Sequence, residues 1–197
     1  MHDVPRFKMQ FGLLFSGPML VASASLHAQQ AAAPAAPAAS AVKSTAEFQW
    51  LGQAGWRIVS PAGKLIVVDP WIKGGPKAPK EYKDDLKAIG PVDVLLVTHA
   101  HGDHLGDAPD LAKLNKTKLY GPADMIKPAG TKGTAVRAEH SSLIVWPDAN
   151  GKPQEHAAGE PVGFIIELEN GTKIWHMGDT GLFGDMKFIA DHYKPDI

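Results

Sequence analysis

The stretch Thr-His-Ala-His-Gly-Asp-His, residues 98–104, places three imidazoles and one carboxylate within six positions. It follows the apolar run Val-Asp-Val-Leu-Leu-Val at residues 92–97, which is typical of a buried strand. Imidazole and carboxylate groups gathered at the end of a strand predict a metal site at the edge of a sheet. Such ligands suit Zn²⁺ first, and Mn²⁺ or Fe less well. The candidate ligands in this stretch are His99, His101, Asp103 and His104.

Histidine-rich tracts without a fold also bind metals, and a single histidine is more often a surface or core residue. Here the cluster is short, follows a strand and precedes a predicted helix at residues 107–115. A folded metal site explains so many ligands in one turn better than packing does.

The composition indicates one globular domain with an extension. The chain has 197 residues, of which 44% are hydrophobic, and this fraction supports a core. The net charge is −1 and no run of Lys and Arg is present, so we expect no nucleic-acid partner. Because this chain contains no cysteine, disulfides, thiolate metal sites and cysteine nucleophiles are excluded.

Residues 1–28 are predicted to be a signal peptide. A weakly basic start precedes an apolar stretch at residues 11–24, and cleavage after Ala28 or Ala24 fits the small residues there. An uncleaved N-terminal anchor is the alternative. The apolar stretch is short and is interrupted by a Gly-Pro pair, so we expect no stable membrane span.

Residues 29–45 form an Ala/Pro-rich linker that lacks the side chains for a core. A signal peptide followed by such a linker predicts export, so we expect a periplasmic or secreted protein. The folded domain is then predicted over residues 46–197. Antiparallel hairpins come first and an alternation of strands and helices follows, which favours two sheets with helices outside.

The individual elements follow from hydrophobic alternation and turn residues. Strands are predicted at residues 47–51, 55–59, 64–68, 92–97, 118–120, 134–138, 143–146, 162–168 and 173–176. Helices are predicted at residues 82–89, 107–115, 122–127 and 183–192, and a polar turn region at 148–155.

A hydrolytic site with two metals needs about three protein ligands for each metal. Two further candidates stand at strand ends: His140 after the strand at 134–138, and Asp179 after the strand at 173–176. His140 taken alone fits a surface loop equally well, and Asp179 could instead cap a helix or form a turn. The glycines that flank Asp179 and Thr180 allow a tight backbone turn toward a metal.

Taken together, these sequence motifs resemble those of the metallo-β-lactamase superfamily. The local sequence is most similar to the branch of metal-dependent hydrolases that contains ascorbate-6-phosphate-lactonase-like proteins. The resemblance covers about residues 47–197. The motifs on which the resemblance rests are residues 50–52, 66–70, 98–104, 139–142 and 175–183.

The resemblance implies an α/β (α+β) fold, the four-layer αββα sandwich, with two zinc ions at one edge of the sheets. By position, His99, His101 and His140 would hold the first metal. Asp103 and His104 would hold the second metal, and Asp179 would bridge both. A hydroxide shared between the metals would then attack an electrophilic carbonyl or phosphorus, and Asp103 is also the candidate catalytic residue.

Two further residues, Asp69 and His176, each allow two interpretations. Asp69 either orients a ligand imidazole through its second ring nitrogen or forms a turn before Pro70. His176 either lines the pocket or faces the core. The loop at residues 71–81 is the expected source of substrate specificity.

The family has one more histidine, on a loop after a further strand, and this chain reaches Ile197 where that strand is expected to begin. We therefore expect a partial, C-terminally truncated domain, with an unpaired sheet edge and weaker occupancy of the second metal position.

The leading interpretation is an exported zinc-dependent hydrolase that acts on an ester, lactone or phosphoester-type bond of a small molecule. The alternatives are a non-catalytic metal-binding protein, a truncated pseudoenzyme form, or a β-lactamase. A serine hydrolase using Ser141 or Ser142 beside His140 lacks the sequence pattern of a nucleophile elbow. The oligomeric state stays open.

Overall fold

Two β-sheets form the centre of the protein, seen in a computed structural model that describes residues 45–122 and 132–197. The first sheet has five strands in the order β1-β2-β3-β4-β5. Strands β1 to β3 pair antiparallel, whereas β3, β4 and β5 run parallel, as strands joined by helical connections do. The strands are β1 (Glu47–Gly52), β2 (Gly55–Val59), β3 (Leu65–Val68), β4 (Val94–Leu96) and β5 (Leu119–Tyr120).

The second sheet is antiparallel, with the strand order β10-β9-β6. Between its first two strands in the chain, β7 and β8 form a separate antiparallel hairpin. These strands are β6 (Lys132–Arg137), β7 (Leu143–Pro147), β8 (Pro153–Ala157), β9 (Val162–Glu167) and β10 (Lys173–His176).

Four short α-helices and one 3-10 helix accompany the sheets in the described part of the chain. They are α1 (Lys80–Asp84), the 3-10 helix Leu86–Ile89, α2 (Gly102–Leu105), α3 (Ala108–Asn115) and α4 (Met186–Tyr193). Within residues 45–122 and 132–197, none of these helices has the length and apolar character needed to cross a bilayer.

Alternation of side chains along the strands creates the layers. In β3, Ile66 and Val68 face the second sheet, where they pack in one cluster with Phe164 of β9. Leu65 and Val67 point to the opposite side, into a cluster with the helices. All four β3 side chains are buried, which explains why this strand reads as a continuous apolar run.

Helices cover the outer face of each sheet. Tyr82 of α1 and Leu111 of α3 pack on the first sheet, and Ile189 of α4 packs against Ile165 on the second. The order of layers is therefore helix, sheet, sheet, helix, which confirms the expected αββα sandwich.

Two of the predicted regions differ in the structure, and a third is not tested. The polar region at 148–155 contains the start of β8, whose side chains are all exposed, so the strand has no apolar alternation and forms only by pairing with β7. The helix predicted at 82–89 is divided at Asp85, which adopts an extended conformation and accepts a hydrogen bond from the amide of Lys87. The helix predicted at 122–127 lies, apart from Pro122, outside the described residues.

The Phe164→Ala substitution tests the interface between the sheets. Phe164 is fully buried in that interface, so we expect a loss of about 3–5 kcal/mol in the free energy of unfolding, measured by chemical denaturation. The control is Leu182→Ala, because Leu182 is 94% exposed, and we expect it to change stability by less than about 0.5 kcal/mol. Equal effects of the two substitutions would contradict the assigned core.

Candidate metal centre

The histidine cluster lies where β4 ends and α2 begins. His99 follows the strand and is 1% exposed, while His101 is the extended residue that precedes the first turn of α2. His104 sits in the last turn of α2 and is also 1% exposed. One tight strand-to-helix connection therefore presents three imidazoles at the same edge of the sheet.

The first group of possible metal ligands consists of His99, His101 and His140, one nitrogen from each lying within 4.8 Å of the others. Nε2 of His99 is 2.8 Å from Nδ1 of His101, and Nε2 of His140 is 3.3 Å from the same Nδ1 atom. Tetrahedral ligands of zinc at 2.0–2.1 Å lie about 3.3 to 3.4 Å apart. The separation between His101 and His140 therefore matches two ligands of one zinc ion, whereas the separation between His99 and His101 would have to widen by about 0.5 Å.

The second group consists of His99, His104 and Asp179, again with ligand atoms within 4.8 Å of one another. Oδ1 of Asp179 is 3.3 Å from Nε2 of His104, and Oδ2 of Asp179 is 3.7 Å from Nε2 of His140. The two oxygens of this carboxylate thus face one histidine of each group, which is the placement that a bridging ligand needs.

The buried carboxylate of Asp69 connects the cluster to the protein interior. Asp69 is 0% exposed and accepts four hydrogen bonds. Its Oδ1 accepts from the amide of Thr98 at 2.8 Å, and its Oδ2 accepts from the Thr98 hydroxyl at 2.8 Å. Oδ2 also accepts from Nδ1 of His104 and from Nε2 of His176, each at 3.0 Å. Asp69 therefore orients a candidate ligand imidazole, the first of the two interpretations that its sequence position allowed.

These hydrogen bonds decide which ring nitrogens are free. Nδ1 of His104 donates to Asp69, so its Nε2 is left facing Asp179. The Thr98 hydroxyl gives its proton to Asp69 and can accept one from Nδ1 of His99 at 3.1 Å, which leaves Nε2 of His99 facing the first group. The buried network thus prepares two imidazoles as metal ligands.

The electrostatics of the cluster favour a cation. Burial and the neighbouring His104 and His101 lower the pKa of His99 to about 4, so this imidazole is neutral at physiological pH. Burial alone would raise the pKa of Asp69, but the hydrogen bonds and charges of His104 and His176 outweigh it and hold that pKa below its usual value. Burial opposes charge on His104, yet its bond to Asp69 and the Asp69 charge raise its pKa. The negative charge that favours a proton on His104 equally favours a metal cation at Nε2.

Close backbone approach brings Asp179 to the cluster. Gly178 adopts a φ of +63°, and a Cβ atom there would lie 2.8 Å from the Thr98 side chain. Only glycine therefore allows the strand end of β10 to pass this close to Thr98. Asp69 also has a positive φ, of 45°, a conformation that Asp tolerates better than most residues.

The loop that carries His140 is fixed against the loop that carries Asp179. The amide of Glu139 donates to the Thr180 hydroxyl at 2.8 Å, and the amide of Gly181 donates to the Glu139 carbonyl at 2.8 Å. These bonds hold His140, which is 31% exposed at its side chain, near Asp179.

An open cleft of about 540 Å³ adjoins the cluster on the side of Asp179. The hairpin turn between β1 and β2 forms one wall, and the end of β10 forms the other. The cleft is lined by Trp50, Gln53, Ala54, Trp56, Trp175, His176, Met177, Gly178 and Asp179.

The structure brings together five of the six predicted site residues, namely His99, His101, His104, His140 and Asp179. Asp103 belongs to neither group of ligand atoms, and its Oδ2 accepts a 3.4 Å hydrogen bond from Nε2 of Gln53.

Three further residues were left undecided or given other roles by the sequence. His176, 10% exposed at its side chain, both donates to Asp69 and lines the cleft. Ser142 is buried, and its hydroxyl is engaged with the Ala100 amide and the Ala158 carbonyl, which does not suit a nucleophile. Ser141 places its hydroxyl 3.4 Å from Nε2 of His101 rather than on His140.

Sequence reasoning missed Thr98 and the tryptophans of the cleft. Thr98 stands beside the histidines, and its position as a hydroxyl between a buried strand and the cluster was the available signal. No residue of the expected specificity loop at 71–81 lines this cleft. That loop is instead held to the start of α3, because Asp107 accepts hydrogen bonds from the amides of Ile72 and Lys73.

A family model described as a beta-lactamase superfamily domain matches residues 47–197. A UPF0173 metal-dependent hydrolase of Polynucleobacter asymbioticus is 56% identical, over 93% of this chain and 73% of its own length. Another of Polaromonas sp. is 53% identical, over 77% of this chain and 64% of its own length. The solved structure of Igni18, a metallo hydrolase of Ignicoccus hospitalis, matches with a TM-score of 0.58 and 28% identity, over 75% of this chain and 66% of that one.

Replacing Asp69 tests its place in the centre. The Asp69→Asn substitution removes the negative charge and one acceptor oxygen, so we expect zinc affinity to fall by about 10- to 100-fold in a folded protein. Competition with a fluorescent chelator measures the affinity, and near-UV circular dichroism checks the fold. Asp191→Asn, at an exposed i,i+4 ion pair on α4, is the control and should leave zinc affinity unchanged. An Asp69→Asn protein with native zinc affinity would refute the role of this carboxylate.

Proposed function

Because this chain belongs to the metal-dependent hydrolases of the beta-lactamase superfamily, we propose that it is an exported zinc enzyme. Its substrate is a small molecule with an ester, lactone or phosphoester-type bond. The chain spans 73% and 64% of the lengths of two relatives that it matches.

One observation carries the proposal: two groups of ligand atoms meet at the mouth of a cleft. The groups share His99, and the two oxygens of Asp179 face His104 and His140. Asp179 also lines the cleft, so a molecule bound there would reach the metal ligands directly. A protein that only stores metal has no need of a cleft in this place, and this favours turnover over a non-catalytic role.

The proposed roles of the side chains follow from these positions. His99, His101 and His140 would hold one zinc ion, His104 would hold a second, and Asp179 would lie between them. Zinc, when bound, supplies a water of lowered pKa and a Lewis acid that polarises the scissile bond. Asp69 would keep His104 in the tautomer whose Nε2 faces the metal position.

Asp103 would act at the open side of the centre. Its carboxylate is outside both ligand groups but is bonded to Gln53, a residue of the cleft wall. It could enter the second metal position, as the family resemblance implies, or accept a proton from the attacking water. Either role requires the carboxylate of Asp103.

The choice of zinc rests on the ligand chemistry. The site offers four imidazoles and one carboxylate, in groups of three ligand atoms. Nitrogen ligands at these separations suit zinc better than they suit ions such as Mg²⁺ and Ca²⁺, which prefer oxygen ligands. The proposal of export rests on the predicted signal peptide at residues 1–28 and the Ala/Pro-rich linker behind it.

The activity is tested with a panel of aryl esters, lactones and phosphodiesters. We expect hydrolysis that a chelator abolishes and zinc restores. The Asp103→Ala variant should keep its fold and its melting temperature but lose about 100-fold or more in kcat. Asp191→Ala on α4 serves as the matched carboxylate control and should retain full activity. Tight zinc binding without any chelator-sensitive turnover of the panel would favour the non-catalytic alternative.

Export is tested by expressing the full chain in a Gram-negative host and separating the periplasm from the cytoplasm. We expect the periplasmic protein to begin at Ser25 or Gln29, as measured by intact mass, because the signal peptide is removed after Ala24 or Ala28. Replacing Leu13 and Leu14 with Arg should retain the protein uncleaved in the cytoplasm. An unprocessed wild-type chain found only in the cytoplasm would contradict export.

A further inference from the structure

The hairpin wall of the cleft beside Asp179 is aromatic. Trp50 of β1 and Trp56 of β2 stand directly opposite each other in the antiparallel pair, so their side chains share one face of the hairpin. Trp175 belongs to β10 in the other sheet, and Met177 is the first residue after that strand. The Trp175 ring itself packs with Ile165 and Ile189 behind the second sheet, so the aromatic side chains that face the cleft are Trp50 and Trp56 of the hairpin.

Two of these side chains are exposed to an unusual degree. Trp50 is 48% exposed and Met177 is 45% exposed, although both are large and apolar. The indole nitrogen of Trp50 donates to the carbonyl of Gln53 at 2.8 Å, which ties the edge of the ring to the hairpin turn. A fixed, half-exposed indole at the entrance to a candidate active site is suited to contact with an apolar ligand group.

The charged side chains in and beside the cleft are carboxylates. Among the lining residues that belong to the described ranges 45–122 and 132–197, Asp179 is the only carboxylate and none is Lys or Arg. His176 lines the cleft too, but its Nε2 donates to the buried Asp69. Gln53 adds a neutral amide that is bonded to Asp103, another carboxylate. An anionic group placed away from the metals would meet no Lys or Arg among the described lining residues and would approach two carboxylates.

We propose that the cleft accepts the neutral, apolar part of a carboxylic ester or lactone, and that the substrate carries no anionic group away from the bond that is cleaved. The proposal rests on the proposed function, because it assigns the substrate class of the same site. It narrows the three bond types considered above, and it disfavours sugar-phosphate lactones, whose phosphate lies apart from the reacting carbonyl.

The first test compares two acetate esters with the same reacting bond. Phenyl acetate is neutral, and 4-acetoxybenzoate carries a carboxylate on the far side of the ring. Each kcat/KM is divided by the rate constant for hydroxide-catalysed hydrolysis, which corrects for leaving-group reactivity. We expect a preference of about tenfold for phenyl acetate, because the added carboxylate must be desolvated near Asp179.

Two variants and a control locate the preference in the cleft. Trp50→Ala should lower kcat/KM for phenyl acetate by about tenfold, mainly through KM, with zinc content unchanged. Ala54→Lys places a cation in the cleft wall and should reduce or reverse the preference against 4-acetoxybenzoate. Trp146→Ala is the matched control, because Trp146 is 64% exposed on β7 and does not line this cleft. The Trp146→Ala variant should change neither kcat/KM for phenyl acetate nor the preference for phenyl acetate over 4-acetoxybenzoate.

A binding measurement separates this proposal from the proposed function. Metal-free protein is titrated with acetanilide and with 4-acetamidobenzoate, which are amide counterparts of the two esters, while tryptophan fluorescence is recorded. We expect acetanilide to bind about tenfold more tightly. If this preference is found without turnover of any ester, the hydrolase proposal fails and the ligand class stands. If chelator-sensitive turnover is found but favours the anionic ester, or binding favours the anionic amide alongside such turnover, the ligand class is overturned and the hydrolase proposal stands. If the protein shows neither ester turnover nor the binding preference for acetanilide, the hydrolase proposal and the proposed ligand class are both overturned.

Discussion

The buried carboxylate of Asp69 is the interaction on which the metal centre depends. A carboxylate that is fully removed from water is strongly destabilising unless its oxygens are satisfied, and four hydrogen bonds satisfy this one. Its partners come from the end of β4, from α2 and from the end of β10, so one side chain joins both sheets. The orientation of His104, and through Thr98 that of His99, follows from this arrangement.

The sheet architecture serves this arrangement. Asp69 directly follows β3, which is buried on both faces, and its amide continues the pairing with β4 by donating to the Leu96 carbonyl. The positive φ of Asp69 and of Gly178 turns the chain at two strand ends that converge on Thr98. Rigid strands thus position the candidate ligands, and the loops that carry His140 and Asp179 are fastened to each other.

Much of this could be predicted from the sequence, because the signals are local. The apolar alternation of the strands predicts the layers, and the density of ligands at residues 98–104 predicts three of the five residues that meet at the centre. The other two, His140 and Asp179, are candidates because each follows a predicted strand. The role of Asp69 could not be decided, because its contact with His176 joins residues 107 positions apart and no local pattern reports it. β8 was missed for a related reason, since its exposed side chains show no apolar alternation. The cleft is also a tertiary feature, formed by the β1–β2 hairpin and the end of β10, which belong to different sheets.

Anomalous diffraction at the zinc absorption edge, from crystals of the zinc-loaded protein, tests the central claim most directly. We expect two peaks, one at each group of ligand atoms. One peak would contact Nε2 of His99, Nδ1 of His101 and Nε2 of His140, and the other would contact Nε2 of His104, with Asp179 between them. A zinc-loaded crystal without an anomalous peak within bonding distance of these atoms would contradict the account.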